Sequence, residues 1–146
     1  MGEVRHEAVI GAPRERVFEY INDYQNVPGY MFGVNRFTPA TDVTSGLGAA
    51  FETVIKIGPK DLKSTVECVE WTENEVIRLE STSGFGANTS WGFAEGDEPG
   101  TTKLTVVFNY VLPGGLTGKV LGGVMGPFVD QAVKHTESKV REAVEG

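Results

Sequence analysis

Apolar and polar side chains alternate along residues 3–10. One side of this segment holds Val4, His6, Ala8 and Ile10, and the other side holds Arg5 and Glu7. A period of two is typical of a half-buried strand. The chain is therefore predicted to open with a strand, which the Gly-Ala-Pro sequence at residues 11–13 ends.

After Pro13 the spacing of the apolar residues changes to that of a helix. Pro13 can open this helix, because the N–H that proline lacks is not needed at the first position of a helix. Apolar residues recur on one side of residues 14–21, which predicts a short amphipathic helix. A second short helix is predicted from Asp23, and we expect Pro28 and Gly29 to end it.

Six more strands are predicted further along the chain from alternation and from Gly- and Pro-rich turns. Their predicted ranges are 34–38, 49–57, 62–71, 76–83, 88–95 and 102–112. Residues 58–61 are predicted to form a turn. The glycine-rich residues 84–88 join two strands, so they indicate a hairpin turn and not a phosphate-binding loop.

The C-terminal segment carries an apolar stripe at helical spacing, made of Val129, Val133, Val140 and Val144. The charged residues between them, Glu137 and Arg141 included, are expected to face water. A long amphipathic helix is therefore predicted to end the chain.

Glycines and one proline interrupt the beginning of this helix. They are Gly118, Gly122, Gly123, Gly126 and Pro127. Glycine costs about 1 kcal/mol and proline about 3 kcal/mol in a helix interior. We expect either a kink at Pro127 or a helix that restarts there.

These elements predict an α+β fold in one domain spanning residues 1–146. A curved antiparallel sheet has one face to bury, and a long amphipathic helix has one stripe to bury. Wrapping a seven-stranded sheet around the C-terminal helix buries both. The two short helices then lie between strands 1 and 2.

Composition and charge narrow the possible partners. Hydrophobic residues make up 40% of the chain and charged residues 23%, which is ordinary for a globular domain. A net charge of −7 disfavours nucleic acid and anionic lipid surfaces as partners. No apolar run is long enough for stable membrane insertion, and no secretory signal is recognised. Cys68 is the single cysteine and so cannot form an intramolecular disulfide, which fits a reducing compartment. We expect a cytoplasmic location.

Four segments in order resemble the polyketide cyclase/dehydrase and lipid-transport family of the START-like superfamily, also called Bet v 1-like or SRPBCC. They are APRERVFEYINDYQNVPGY at 12–30, GLGAAFE at 46–52, VEWTENEVIRLES at 69–81 and GTTKLTVVFNYVLPGG at 100–115, with the terminal helix after them. The resemblance implies a helix-grip fold with a deep cavity between the sheet and the terminal helix. It also implies binding of hydrophobic small molecules, with catalysis in a minority of members.

Many aromatic and aliphatic side chains fall on strand faces that would line such a cavity. In the resembled fold, the glycine-rich segment would lie over the cavity mouth, although a tight helix–sheet contact would also require small residues. Plain core packing is the alternative for each single residue. The predicted ligand-binding residues are Tyr24, Tyr30, Phe32, Phe51, Ile55, Trp91, Phe93, Phe108, Tyr110, Val120, Leu121, Val124, Met125 and Phe128.

The candidate catalytic residues are His6, Arg78 and Tyr110. His6 could act as a general base, or it could be a histidine satisfied in the core or at the sheet edge. Arg78 could enter the cavity and polarise a carbonyl, or form an exposed cross-strand pair. His135 is expected to be exposed.

The sequence shows no signature of a metal site, a nucleophile elbow or a cofactor. We therefore expect no metal and no cofactor. No motif in the sequence selects a protein partner.

Three function classes fit the sequence. The first is binding, or transport, of a hydrophobic small molecule such as a lipid, quinone or polyketide. The second is an aromatase/cyclase or dehydratase acting on a poly-β-keto chain, and the third is a protein-interaction role. Polar side chains within hydrogen-bond reach inside the cavity would favour an enzyme, and an apolar pocket with one polar anchor would favour a carrier.

Overall fold

Seven strands form one antiparallel sheet in the computed structural model, which describes residues 2–57, 60–111 and 123–145. The order across the sheet is β1-β7-β6-β5-β4-β3-β2. The strands are β1 Gly2–Ile10, β2 Val34–Pro39, β3 Ala50–Ile57, β4 Lys60–Thr72, β5 Val76–Gly84, β6 Gly86–Glu95 and β7 Thr102–Val111. The predicted turn at 58–61 is wrong in its second half, because β4 already begins at Lys60.

The helices cross one face of this sheet. α1 is Arg14–Asn22, a 3₁₀ turn covers Tyr24–Asn26, and α2 is Val27–Tyr30. The prediction that Pro28 and Gly29 end a helix is wrong, because both lie inside α2 and Pro28 lies in its first turn. Proline fits that position, since the first N–H groups of a helix have no internal partner.

The long C-terminal helix, α3 (Gly123–Glu145), packs on the inner face of the sheet and against α1 and α2. Val140 and Val144 of the predicted stripe are almost fully buried. The Thr136 hydroxyl donates a hydrogen bond of 2.8 Å to the Tyr30 carbonyl, which ties α3 to α2. The α+β helix-grip architecture, with its seven-stranded sheet around a long terminal helix, is thus confirmed.

Helix α3 includes Pro127 instead of restarting at it. The N–H that Pro127 lacks would bond to the Gly123 carbonyl at the first residue of the helix, so proline removes only a terminal hydrogen bond. Gly118 and Gly122 lie outside the described residues.

Irregularities in two neighbouring strands change the register of the sheet. The pairing of β4 with β5 shifts at two places, between Thr65 and Val66 and between Cys68 and Glu70. Such bulges bend a strand and increase its twist. Beyond them, β5 ends at Gly84, which has a φ of +80°, and the predicted hairpin turns through Phe85 into β6.

Among the described residues, no helix is long and apolar enough to cross a membrane.

Candidate functional site

An apolar cavity of about 50 Å³ lies between the inner face of the sheet and α3. The strands supply apolar walls from both edges and from the middle of the sheet, and α3 and the α2–β2 connection close the other side. The apolar lining includes Ala8, Met31, Phe32, Val34, Ile55, Trp91, Leu104, Val106, Phe108, Phe128, Ala132 and Val133. Period-two alternation explains the wall, since Leu104, Val106 and Phe108 follow one another on the same face of β7.

Aromatic rings meet where the α2–β2 connection touches α3. The Phe32 ring lies 5.6 Å from the Phe128 ring and 5.4 Å from the His135 ring, measured between ring centres. Gly33 has a φ of +85°, and a Cβ there would lie 2.9 Å from the Phe128 ring. Glycine therefore permits this close approach. The expected exposure of His135 is wrong, because the side chain is half-buried against Phe32.

A second cavity of about 40 Å³ lies on the other side of Trp91. It is lined by Tyr24, Tyr30 and Phe51 of the predicted ligand-binding set, and also by Cys68. Trp91 borders both cavities and meets Tyr30 edge to face, with ring centres 5.4 Å apart. The Tyr30 hydroxyl donates to the Ile21 carbonyl at 2.8 Å, which fixes this partition.

The predicted ligand-binding residues thus separate into groups. Phe32, Ile55, Trp91, Phe108 and Phe128 line the first cavity. Phe93 is buried against Phe18, and Tyr110 stacks on Phe108 without being part of either lining. Val120 and Leu121 lie outside the described residues, as do the side chains of Val124 and Met125.

Arg78 lies on the outer face of the sheet with its side chain about half exposed. It pairs with Glu80 on its own strand at 3.5 Å and with Glu70 on β4 at 3.8 Å. This is the exposed cross-strand alternative. The hypothesis that Arg78 enters the cavity is wrong, because Ile77 is buried on the inner face and Arg78 must then point the other way.

One pair of ionisable side chains interrupts the apolar lining. Nε2 of His6 on β1 lies 2.7 Å from Oε1 of Glu137 on α3, and both side chains are about 28% exposed. Arg141, one turn further along α3, donates from Nε to the other oxygen, Oε2, at 2.9 Å. Its guanidinium also contacts Glu145, whose Oε2 accepts from the Gly11 amide at 2.7 Å. A chain of hydrogen bonds thus joins α3 to the edge strand β1.

Burial and hydrogen bonding shift the pKa of Glu137 in opposite directions, and the net shift is downward. Burial by itself would raise the pKa of this carboxyl, but the hydrogen bonds from His6 and Arg141 hold the pKa below its ordinary value. Glu137 is therefore a carboxylate over the neutral range. A carboxylate that orients an imidazole is an arrangement that can support proton transfer.

Replacing Glu137 by glutamine should reduce stability in a pH-dependent way. We expect Glu137→Gln to lower the free energy of unfolding by about 1.5–3 kcal/mol near neutral pH, since its two charge-assisted hydrogen bonds, with His6 and Arg141, are replaced by weaker bonds to a neutral amide. A lowered carboxyl pKa stabilises the fold above the ordinary value of 4.5, and this contribution disappears as the pH falls through the folded-state pKa. Urea unfolding of both proteins between about pH 5.5 and pH 3 checks this, and the difference should shrink over that range.

The matched control for this substitution is Glu142→Gln on the same helix. Glu142 forms an exposed pair with Lys139 at 3.6 Å, so its loss should change stability by less than about 1 kcal/mol. A stability difference between wild type and Glu137→Gln that stays constant down to pH 3 would contradict the assignment.

Sequence reasoning missed Glu137 as a cavity residue. The helical spacing could have identified it, however. Glu137 lies four residues after Val133 and three before Val140, and therefore on the apolar stripe itself. A charged residue on such a stripe needs a partner. Thr89 and Thr136, which also line the cavity, were missed too, because threonine fits any strand or helix face.

Within residues 2–57, 60–111 and 123–145, no three His, Cys, Asp or Glu side chains are grouped so that they could hold a metal ion. Cys68 lines the second cavity, and burial raises the pKa of its thiol.

Comparison with solved structures shows the same fold in distant proteins. A protein of Thermus thermophilus is 23% identical, with a TM-score of 0.79 over 97% of this chain and 95% of that one. The Zhui aromatase/cyclase of a Streptomyces species is 14% identical, with a TM-score of 0.80 over 99% and 93% of the two chains. A START superfamily protein of Mycobacterium smegmatis is 14% identical, with a TM-score of 0.74 over 98% and 97%.

Sequence comparison agrees with the fold. No curated protein matches the sequence at a significant level. The profile of one family, described as polyketide cyclase/dehydrase and lipid transport, matches residues 1–145. The chain therefore belongs to the polyketide cyclase/dehydrase and lipid-transport family.

Proposed function

We propose that this protein binds, and in that way carries, a hydrophobic small molecule such as a lipid, quinone or polyketide in the cavity between the sheet and α3. The observation that carries the proposal is the apolar cavity itself, whose walls come from β1, β3, β6, β7 and α3. Burial of apolar surface supplies about 25 cal/mol per Å², so affinity needs no charged group. The family description, which includes lipid transport, supports the same function.

The size of the cavity requires side chains to move when a ligand enters. Its volume of about 50 Å³ is smaller than the roughly 150 Å³ of an apolar cavity that binds benzene. Met31, Phe32 and Phe128 are partly exposed lining residues, and the two phenylalanines contact each other. Displacing them costs less than displacing the buried Trp91. We expect entry between α2 and α3.

Native mass spectrometry of the protein purified from its own host tests the proposal. A bound hydrophobic molecule should appear as a mass difference that organic extraction removes, and the extract identifies the ligand. Extracts without a reproducible molecule, together with no binding of added apolar probes such as naphthalene, would contradict it.

Filling the cavity should weaken binding. Ala132 lines the cavity from α3, so Ala132→Phe places a ring where a ligand would lie. We expect the affinity for naphthalene to fall by at least about tenfold, equivalent to about 1.4 kcal/mol. Isothermal titration calorimetry measures this effect. Ala143→Phe is the matched control, because Ala143 is exposed on the same helix and its replacement should leave binding unchanged.

A second candidate function is cyclisation or dehydration of a poly-β-keto chain in the same cavity. The observation that favours it is the His6–Glu137 pair, which places two polar groups within hydrogen-bond reach at the cavity wall. In this reaction His6 would remove a proton from the substrate, and Glu137 would stabilise the imidazolium that forms. The Streptomyces neighbour is an aromatase/cyclase, and this supports the same reaction class here.

Comparison of binding with turnover separates the two functions. His6→Asn should keep naphthalene binding in either case. If the protein is an enzyme, the variant should lose product formation from a poly-β-keto substrate, measured by mass spectrometry. Failure of the wild type to change the product pattern relative to a protein-free control would exclude this second candidate.

A further inference from the structure

We propose that the cavity selects apolar molecules that carry a hydrogen-bond-donating hydroxyl group, such as a phenol, an enol or a quinol, through Nδ1 of His6. This inference rests on the proposed function, since it names the ligand class of the same cavity. Such a cavity would distinguish hydroxyl compounds from quinones, ketones and carboxylates, whose oxygens only accept hydrogen bonds.

Glu137 fixes the position of the proton on His6. The Glu137 carboxylate can only accept, and its Oε1 lies 2.7 Å from Nε2 of His6. Nε2 must therefore carry the hydrogen. In the neutral imidazole, Nδ1 then holds a lone pair and can only accept.

No described residue forms a hydrogen bond with Nδ1 of His6, and this atom is not sealed from water. Among the residues that the structure describes, nothing therefore competes with a ligand for it. The ring lines the cavity next to Val106, its neighbour across the β1–β7 pair, and near Phe108. A molecule in this apolar space that brings a hydroxyl group can donate to Nδ1, whereas a carbonyl finds no donor at that nitrogen.

Arg141 makes this arrangement testable, because it fixes the orientation of the side-chain carboxylate, or of an amide that replaces it, at position 137. Two guanidinium nitrogens of Arg141 lie 2.9 Å from Oε2 of Glu137. In Glu137→Gln the amide carbonyl must face these donors, so the amide NH₂ must face Nε2 of His6. Nε2 then becomes an acceptor, and the hydrogen moves to Nδ1. The substitution should therefore convert the cavity acceptor into a donor.

Nitrogen NMR of the histidine side chains tests the proton position directly. We expect ¹⁵N–¹H spectra of neutral His6 in the wild type to show the Nε2–H tautomer. Glu137→Gln should show the Nδ1–H tautomer, and Glu142→Gln should resemble the wild type. An Nδ1–H tautomer in the wild type would overturn the proposal. This measurement is made on the wild-type protein, so it does not depend on whether a variant folds.

Titration with three bicyclic probes tests the selectivity. 1-Naphthol donates a hydrogen bond, 1-tetralone only accepts, and naphthalene does neither. We expect the wild type to bind 1-naphthol at least about fivefold more tightly than 1-tetralone, and Glu137→Gln to bind 1-tetralone more tightly than the wild type does. Equal ratios in both proteins, with naphthalene still bound, would overturn the hydroxyl selection alone. Absence of binding by all three probes would overturn the proposed function and this inference with it.

Discussion

Trp91→Ala should be among the most destabilising single substitutions in this protein, with an expected loss of about 3–5 kcal/mol in the free energy of unfolding. Trp91 is only 2% exposed and is the largest fully buried side chain. It fills the space between the two cavities and packs its ring against Tyr30. Its removal leaves an enlarged void that the rigid strand β6 cannot close.

Urea unfolding at neutral pH measures this loss. Leu47→Ala is a suitable control, because Leu47 is 64% exposed and its truncation should cost no more than about 0.5 kcal/mol. Trp91→Phe should fall between the two, since a ring still separates the cavities. A loss below about 1 kcal/mol for Trp91→Ala would show that the partition between the cavities is not tightly packed.

Gly84→Ala is the second substitution with a large expected effect. Gly84 ends β5 with a φ of +80°, which costs an alanine about 1–2 kcal/mol. A Cβ there would also overlap the Lys63 carbonyl oxygen on the neighbouring strand β4. Backbone cannot rotate away as a side chain can, so overpacking should add about 1–3 kcal/mol.

Gly100→Ala isolates the first of these two costs. Gly100 has nearly the same φ, +77°, but nothing lies within 4 Å of an added Cβ. Thermal unfolding of both variants should therefore give a clearly larger loss for Gly84→Ala. Equal losses would mean that β4 and β5 separate easily at this point, and would contradict the close backbone contact between Gly84 and Lys63.

The strands and the terminal helix could be predicted from the sequence because each buries one face. Alternation at residues 102–111 and the stripe through Val133, Val140 and Val144 require a sheet and a helix that cover each other. The hairpin at Gly84 follows from the same logic. Element ends were harder to predict, as Lys60 and Pro28 show, because residues next to or typical of a turn are also tolerated at the start of a strand or in the first turn of a helix.

The division of the aromatic residues between two cavities could not be predicted. Alternation of apolar and polar residues predicts which face of the sheet a side chain lies on. It does not predict which part of the concave face, and so which cavity, the side chain lines. Tyr24 lies in the 3₁₀ turn and Tyr30 in α2, and the placement of these short elements depends on packing against β2 and α3. Both rings therefore lie on the far side of Trp91. The pairing of His6 with Glu137 joins residues 131 positions apart, and only the packed fold brings them together.

The central claim is that an apolar guest occupies the space between the sheet and α3. Intermolecular nuclear Overhauser effects between naphthalene and the methyl groups of the protein test it most directly. We expect contacts to Ala8, Val34 and Ala132, which line the first cavity. Contacts only to Val27 and Ala49 of the second cavity, or none at all, would contradict it.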